Sequence, residues 1–369
     1  IRRTTPELPS LFVTEVIEKH EGLSLYEIEA INDKVVLRGD CTISLAMAYY
    51  RYLKDYCGVN MSWCGNTALS VESAPLPVSK ITHRIVQDKR VYMNPRAFSY
   101  TACWWDWARW EREIDFMAMN GINMPLSFVG SEAVWYYTLR DFKYSEQGAL
   151  QFLSGPAFWS WQLMANIDSF LALTDVKYIE FRLELGKKIL NRQRELGMSP
   201  IMPGYTGHIP RTMLRLFRKA RIRSMPSWNN FSTTYRIDPN DALFTKFGNA
   251  LLEKQLRLLG GCHHYACDPF HDNFPKVHGD EYLKATGKAI AKLLDDFDSE
   301  SVWVIQGDCA REPLIKHVQK DKLLILDLDG TGYEKTNGFW GYGFIYGIHN
   351  NYGAHNTLHG SITALAANG

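Results

Sequence analysis

What the sequence lacks most plainly is an excess of charge, since 41 lysines and arginines meet 40 aspartates and glutamates in 369 residues. A track for nucleic acid or another polyanion needs a surplus of one sign, so no such partner is indicated. The densest basic run, Arg218-Lys219-Ala220-Arg221-Ile222-Arg223, reads as a solvated face. Long apolar stretches are missing too, and none approaches the ~18 residues of a membrane-crossing helix. Cysteine is scarce, and its seven positions (41, 57, 64, 103, 262, 267, 309) outline no disulfide framework. No G-x-G-x-x-G follows an early strand, which counts against a dinucleotide cofactor. No G-x-S-x-G elbow appears, which removes support for serine-nucleophile hydrolysis. Internal repeats and low-complexity tracts are absent. The chain opens at Ile1 without a signal-peptide pattern and so reads as processed or excised.

Aromatic residues, in contrast, are plentiful, with 11 Trp, 19 Tyr and 18 Phe. Most aromatics fill core, so this abundance hints only weakly at a cleft for flat ligands. Two acceptor sequons, Asn60-Met61-Ser62 and Asn230-Phe231-Ser232, permit glycosylation without requiring it.

Residues 1–88 predict a small α/β domain. In 25–31, Tyr26, Ile28 and Ala30 alternate with Glu27 and Glu29, the period of a half-buried strand. Asn32-Asp33 turns the chain into a second strand at 34–38, and Thr42 or Ser44 is expected to cap a helix that Gly58 ends. From residue 89 to 369 the pattern becomes repeated strand–helix units. Strands are expected near 98–102, 124–129, 200–204, 263–269, 301–306, 323–328 and 344–348. Helices are expected between them, including 175–196, 241–259, 281–297 and 313–319. One more, near 107–118, buries Trp107, Trp110, Ile114, Met117 and Ala118 and leaves Arg109, Glu111, Arg112 and Asp115 mostly elsewhere. Apolar strands alternating with helices imply right-handed parallel crossovers. The expected fold is therefore a (β/α)8 TIM-type barrel, with the eighth strand not seen and an open doubly wound sheet as runner-up.

Chemistry concentrates at 265–272, YACDPFHD. Tyr265, Ala266 and Cys267 form the body of a buried strand, and Pro269 stops it because it has no N–H to donate. Asp268 and Asp272 then stand on the C-terminal lip, where barrels place their chemistry. Asp268, beside the proline, reads as a strand-end hydrogen bonder. Cys262-His263-His264 with Cys267 suggests a metal, but adjacent histidines on a strand face opposite ways and the spacing fits no usual zinc site. Neither metal nor cofactor is expected.

At 104–123 the chain reads WWDWARWEREIDFMAMNGIN, followed by GSEAVW (130–135), SGPAFWSW (154–161), GMSPIMPGYTGHIP (197–210), YACDPF, VWVIQG (302–307) and LLILDL (323–328). This closely resembles the α-N-acetylglucosaminidases, glycoside hydrolase family 89, including the lysosomal type that trims heparan sulfate. The resemblance implies an N-terminal α/β domain, a barrel and a C-terminal helical domain, the last being beyond Gly369. It also implies retaining hydrolysis by two glutamates, with a terminal N-acetylglucosamine as substrate and a lysosomal or secreted setting. The acid/base position falls on Asp272, one methylene shorter than glutamate, and His271 occupies a substrate-contacting slot. The nucleophile position falls on Thr331, which has no carboxylate, leaving Asp329 or Glu334 to substitute. Asn94, Tyr100, Trp161, Trp228 and His349 match pocket positions, while Glu132 reads as a structural hydrogen bonder. Two functions stay open: a hydrolase, or a catalytically impaired descendant serving as a carbohydrate-binding or structural subunit. The expected partners are a glycan and, for assembly, a second copy or another chain.

Overall fold

A computed structural model describes residues 1–61, 69–274, 279–348, 363 and 366. They form two compact units, the first made of Ile1–Tyr92, Trp105–Pro125 and Asn191–Pro200, the second of Met93–Trp104, Leu126–Leu190 and Ile201–Gly369.

In the first unit β1 (Phe12–Val16), β2 (Ser24–Ile31), β3 (Lys34–Gly39) and β4 (Ile81–Ile85) make a sheet in the order β1-β3-β2-β4. The alternation in β2 holds at its centre and fails at Ala30, which is exposed. Tyr26 and Ile28 are buried, while Glu27 and Glu29 meet the Arg38 guanidinium of β3 on the other face. Helix Thr42–Cys57 lays Ala48, Tyr49, Tyr52 and Leu53 into the same core. It starts one residue before the expected cap: Cys41 is the N-cap, and its N–H bonds the Ser44 hydroxyl at 3.0 Å. Gly58, left-handed at φ 64°, ends it as expected. Helix Trp107–Met119 is N-capped by Asp106, which accepts the Arg109 N–H. Its polar residues depart from expectation, because Arg112, Glu113 and Asp115 are buried. Buried charge requires partners. Asp115 accepts from Arg3 and Arg192, and Glu113 from Arg109 and Tyr92.

The first parallel strand also lies elsewhere than expected. It is β5 (Val91–Tyr92), paired with β6 (Met124–Pro125), while the segment expected as strand at 98–102 follows a 3-10 turn, Pro95–Phe98. Asn94 and Pro95 explain the shift. Proline suits the first position of a helical turn, and the Asn94 side chain caps it by accepting the Ala97 N–H at 3.1 Å.

The second unit holds β7 (Ile201–Pro203), a small antiparallel sheet of β8 (His208–Ile209), β9 (Ile222–Ser224) and β10 (Tyr235–Ile237), then β11 (His264–Ala266), β12 (Val302–Gln306), β13 (Leu323–Asp327) and β14 (Phe344–Tyr346). β7, β11, β12, β13 and β14 lie side by side in that order, all parallel, and Leu126 adds a parallel bridge to Ile201. Among the described residues no strand follows β14. Apart from 98–102, the strands expected from residue 89 onward exist but are shorter by one to four residues. Helices Ala242–Leu259 and Asp280–Phe297 separate them, whereas the helix expected at 313–319 is only Glu312–Ile315. That short turn abuts its neighbour closely, since a Cβ on Gly287 would lie 1.7 Å from the Leu314 carbonyl oxygen. Trp303, Ile305 and Ile325 of the sheet and Phe244 and Phe247 of the helix fill the core.

Candidate functional site

β11 ends at Ala266, and the chain then turns at the C-terminal ends of the strands. Asp268, fully buried, accepts both the Gln306 N–H at 2.8 Å and its side-chain amide at 2.7 Å. It therefore ties β11 to β12, the hydrogen-bonding role the sequence suggests, and burial pushes its carboxyl up.

Asp272 stands at the rim with its side chain 43% exposed. His271 beside it has no exposed side-chain surface. Its Nδ1 lies 3.0 Å from Asp272 Oδ2 and 3.1 Å from the Asn166 amide nitrogen. Its Nε2 lies 3.3 Å from Arg96 Nη2 and 3.7 Å from Asp308 Oδ2. The His271 contact foremost, with help from Arg96 and Asn166, holds the Asp272 carboxyl below the usual carboxylate range against the opposing effect of burial. A proton on Asp272 is thus retained only at acidic pH. Replacing His271 by Asn should let that pKa rise. In a pH profile of kcat/KM the alkaline limb should move to higher pH; an unmoved limb would show that Asp272 is not the titrating donor.

Aromatic side chains extend from this cluster. The Trp161 ring lies 5.9 Å from His271 and 4.9 Å from Trp228, and its Nε1 donates to the Tyr100 hydroxyl at 3.1 Å. Arg96 sits 5.7 Å over Trp161. Ser160 and Ser99, bonded to each other at 3.0 Å, join the two segments that carry Trp161 and Tyr100.

Beyond β13, Asp327 is buried and accepts the N–H groups of Gly332 at 3.1 Å and Tyr333 at 3.0 Å, which ties down the short loop. Asp329 and Thr331 line a cleft of about 630 Å³ together with Asp308 and Trp340. Glu334 accepts a hydrogen bond from the Tyr333 hydroxyl at 3.1 Å.

The structure thus gathers Asp272, His271, Tyr100, Trp161 and Trp228 into one cluster, with Asp329 in the cleft that Asp308 also lines. Asn94 lies close in sequence to Arg96 and serves as a cap, Glu334 bonds its neighbour, and His349 lies outside the described residues. Arg96, Asn166 and Asp308 went unnoticed in the sequence. Asp308 alone left a signal, as a carboxylate just past a parallel strand, the same signal that marks Asp272. Arg96 and Asn166 sit in loops without any local signature.

Donor atoms of His271, Asp308 and Cys309 fall within 4.8 Å of one another. Two features oppose a metal there: Arg96 already brings a positive charge to Nε2, and burial pushes the Cys309 thiol well above its usual range. The Cys262–Cys267 run makes no such cluster, since His263 pairs with Asp298 at 2.9 Å. Among the described residues, no helix is long and apolar enough to cross a membrane.

Comparison with known proteins bears on the family and the fold. The family description "Alpha-N-acetylglucosaminidase (NAGLU) tim-barrel domain" matches residues 90–368, and the N-terminal domain of the same family matches residues 1–78. Human alpha-N-acetylglucosaminidase is 30% identical over an alignment of 375 positions that covers 96% of this chain and 50% of that protein. The chain therefore spans about half the length of that relative. A family 89 glycoside hydrolase from Clostridium perfringens, in complex with 2-acetamido-1,2-dideoxynojirmycin, superposes with a TM-score of 0.86 at 28% identity, covering 95% of this chain and 41% of that one. The Clostridium perfringens protein in complex with its substrate GlcNAc-alpha-1,4-galactose gives 0.84 at 29% identity, covering 89% and 38%.

Proposed function

The chain belongs to the alpha-N-acetylglucosaminidase family, with its TIM-barrel fold, and from that premise we propose that it is a glycoside hydrolase releasing terminal α-linked N-acetylglucosamine. The observation that carries this reading is a half-exposed carboxylate, Asp272, at the strand ends beside the rings of Trp161, Trp228 and Tyr100. Aromatic faces cover the apolar side of a pyranose while a carboxylic acid protonates the departing oxygen. In the retaining form, a second carboxylate attacks the anomeric carbon, and water then releases the sugar. The carboxylates of the β13 loop proposed for that attack are Asp329, which lines a cleft with Asp308, and Glu334. Substrates such as heparan sulfate, a lysosomal or secreted setting, the division at residue 88, and assembly with a second copy or another chain belong to the same proposal, on the strength of the resemblance.

One observation favours a second reading: Thr331, without a carboxylate, stands where the resemblance puts the nucleophile. On that reading the chain binds the sugar without cleaving it. Incubation with an aryl α-N-acetylglucosaminide separates the two. Turnover with release of the α-anomer, followed by NMR, supports retaining hydrolysis; saturable binding without turnover supports the descendant, and no binding at all defeats both.

A further inference from the structure

The small sheet of β8, β9 and β10 carries a row of basic side chains. His208 of β8 and Arg223 of β9 stand directly opposite Arg236 of β10, one on each side, and residues paired in this way share a face. Like charges so placed oppose one another unless each is answered. The outer two are answered, His208 by Asp168 at 3.1 Å and Arg223 by Asp238 at 2.8 Å. The middle one is not. Among the described residues no carboxylate pairs with Arg236, and the remaining residues of the chain contain no aspartate or glutamate.

Arg236 is also deeply enclosed, at 2% exposed. Its Nη2 donates to the Thr206 carbonyl, and its guanidinium lies 4.7 Å over the Phe270 ring. Burial draws its pKa down to about 10, which still leaves it cationic at neutral pH. The groups whose charge reaches it are Tyr282 and Tyr205, phenols that burial holds protonated. A buried cation without a counter-charge is costly, and a ring face with one carbonyl offsets only part of that cost. The Tyr205 hydroxyl, in the same neighbourhood, is buried and has no hydrogen-bond partner among the described residues. A buried phenol ordinarily finds one. Water satisfies a hydroxyl but leaves a charge standing, whereas an anion answers both. Packing around the ring is tight, since a Cβ on Gly248 would lie 2.9 Å from Tyr205.

We propose that Arg236, with the Tyr205 hydroxyl, binds a compact monovalent anion of the chloride class as its counter-ion inside the second unit. The site uses none of the residues assigned to sugar binding or hydrolysis, so it stands or falls apart from the proposed function.

Thermal unfolding of the full chain tests it after dialysis into sodium gluconate, with chloride, bromide or sulfate replacing gluconate at constant ionic strength. Chloride and bromide should each raise Tm by roughly 2–4 °C along a saturating curve, and sulfate should add nothing beyond gluconate. Arg236→Met, which keeps an unbranched stem without the charge, should lose the halide response, and Tyr205→Phe should weaken it. A bromide-soaked crystal of the unaltered protein gives a reading that needs no variant to fold: an anomalous peak should stand in hydrogen-bond contact with the guanidinium. Coinciding halide and gluconate curves would overturn the proposal, as would a halide response that persists in Arg236→Met. Bromide found only on the surface, an adventitious ion only, would overturn it too. An equal response to sulfate would overturn the compact, monovalent class, and an unweakened response in Tyr205→Phe would remove that hydroxyl from the site.

Discussion

Replacing Asp272 by alanine should lower kcat/KM on an aryl α-N-acetylglucosaminide by roughly 10²–10⁴-fold, the usual scale of a positioned general acid. The residue is an open carboxylate of the cluster, and Asn166, His271 and Arg96 all address it or its neighbour. An activated leaving group needs little protonation, so the loss should shrink with a nitrophenyl substrate and grow with a natural glycan. Asp272→Glu is the informative companion. It lengthens the side chain by one methylene toward the residue implied by the family, and displacements near 1 Å can be worth on the order of a hundredfold. A rise in rate for Asp272→Glu, with binding unchanged, would identify reach as the limiting defect. An Asp272→Ala variant as active as the parent would remove Asp272 from the mechanism.

The second large effect concerns stability. Glu132→Ala should destabilise the fold by about 3–5 kcal/mol, measured by urea or thermal unfolding. Glu132 and Arg182 form a buried pair at 2.8 Å, with side chains 2% and 5% exposed. The other carboxylate oxygen of Glu132 accepts the Gly130 N–H at 3.0 Å. Truncation would strand the guanidinium in a dry environment and leave that N–H unpaired as well. Glu132→Gln keeps one acceptor oxygen but sets an NH2 donor against the other N–H and loses the charge, so it should recover only part of the loss seen with alanine. The damage should reach the sugar site too. Ser131, next in sequence, accepts the Trp159 Nε1–H at 2.9 Å, two residues before Trp161. A Glu132→Ala loss below about 1 kcal/mol would mean that water or another group replaces the carboxylate.

Much of the fold was legible because its signals are local. β12 and β13 appear as apolar runs bounded by turns, and helix Ala242–Leu259 shows its Asp241 cap and its apolar stripe. The exceptions are equally physical. Val91–Tyr92 is a two-residue strand and too short to show a period, while the apolar residues after Pro95 were drawn into a 3-10 turn by the Asn94 cap. Arg112 and Asp115 were expected mostly off the buried stripe, because pairing such as that of Asp115 with Arg3 and Arg192 is invisible to a helical repeat. The site divides in the same way. Asp272, Trp161 and Trp228 sit in recognisable motifs; the contact between Arg96 and His271 spans 175 positions and has no sequence trace.

By itself, then, the sequence determined the alternation of strands and helices, the family, and the carboxylate at the end of β11. Those follow from side-chain period, from proline's missing donor and from motif identity, all carried within a few neighbouring residues. Only the tertiary structure decided that His271 is enclosed between Asp272, Asn166, Arg96 and Asp308, and that Trp161 brings Tyr100 and Trp228 beside it. Charge pairing and ring stacking act through space, between segments that meet only after the chain has folded.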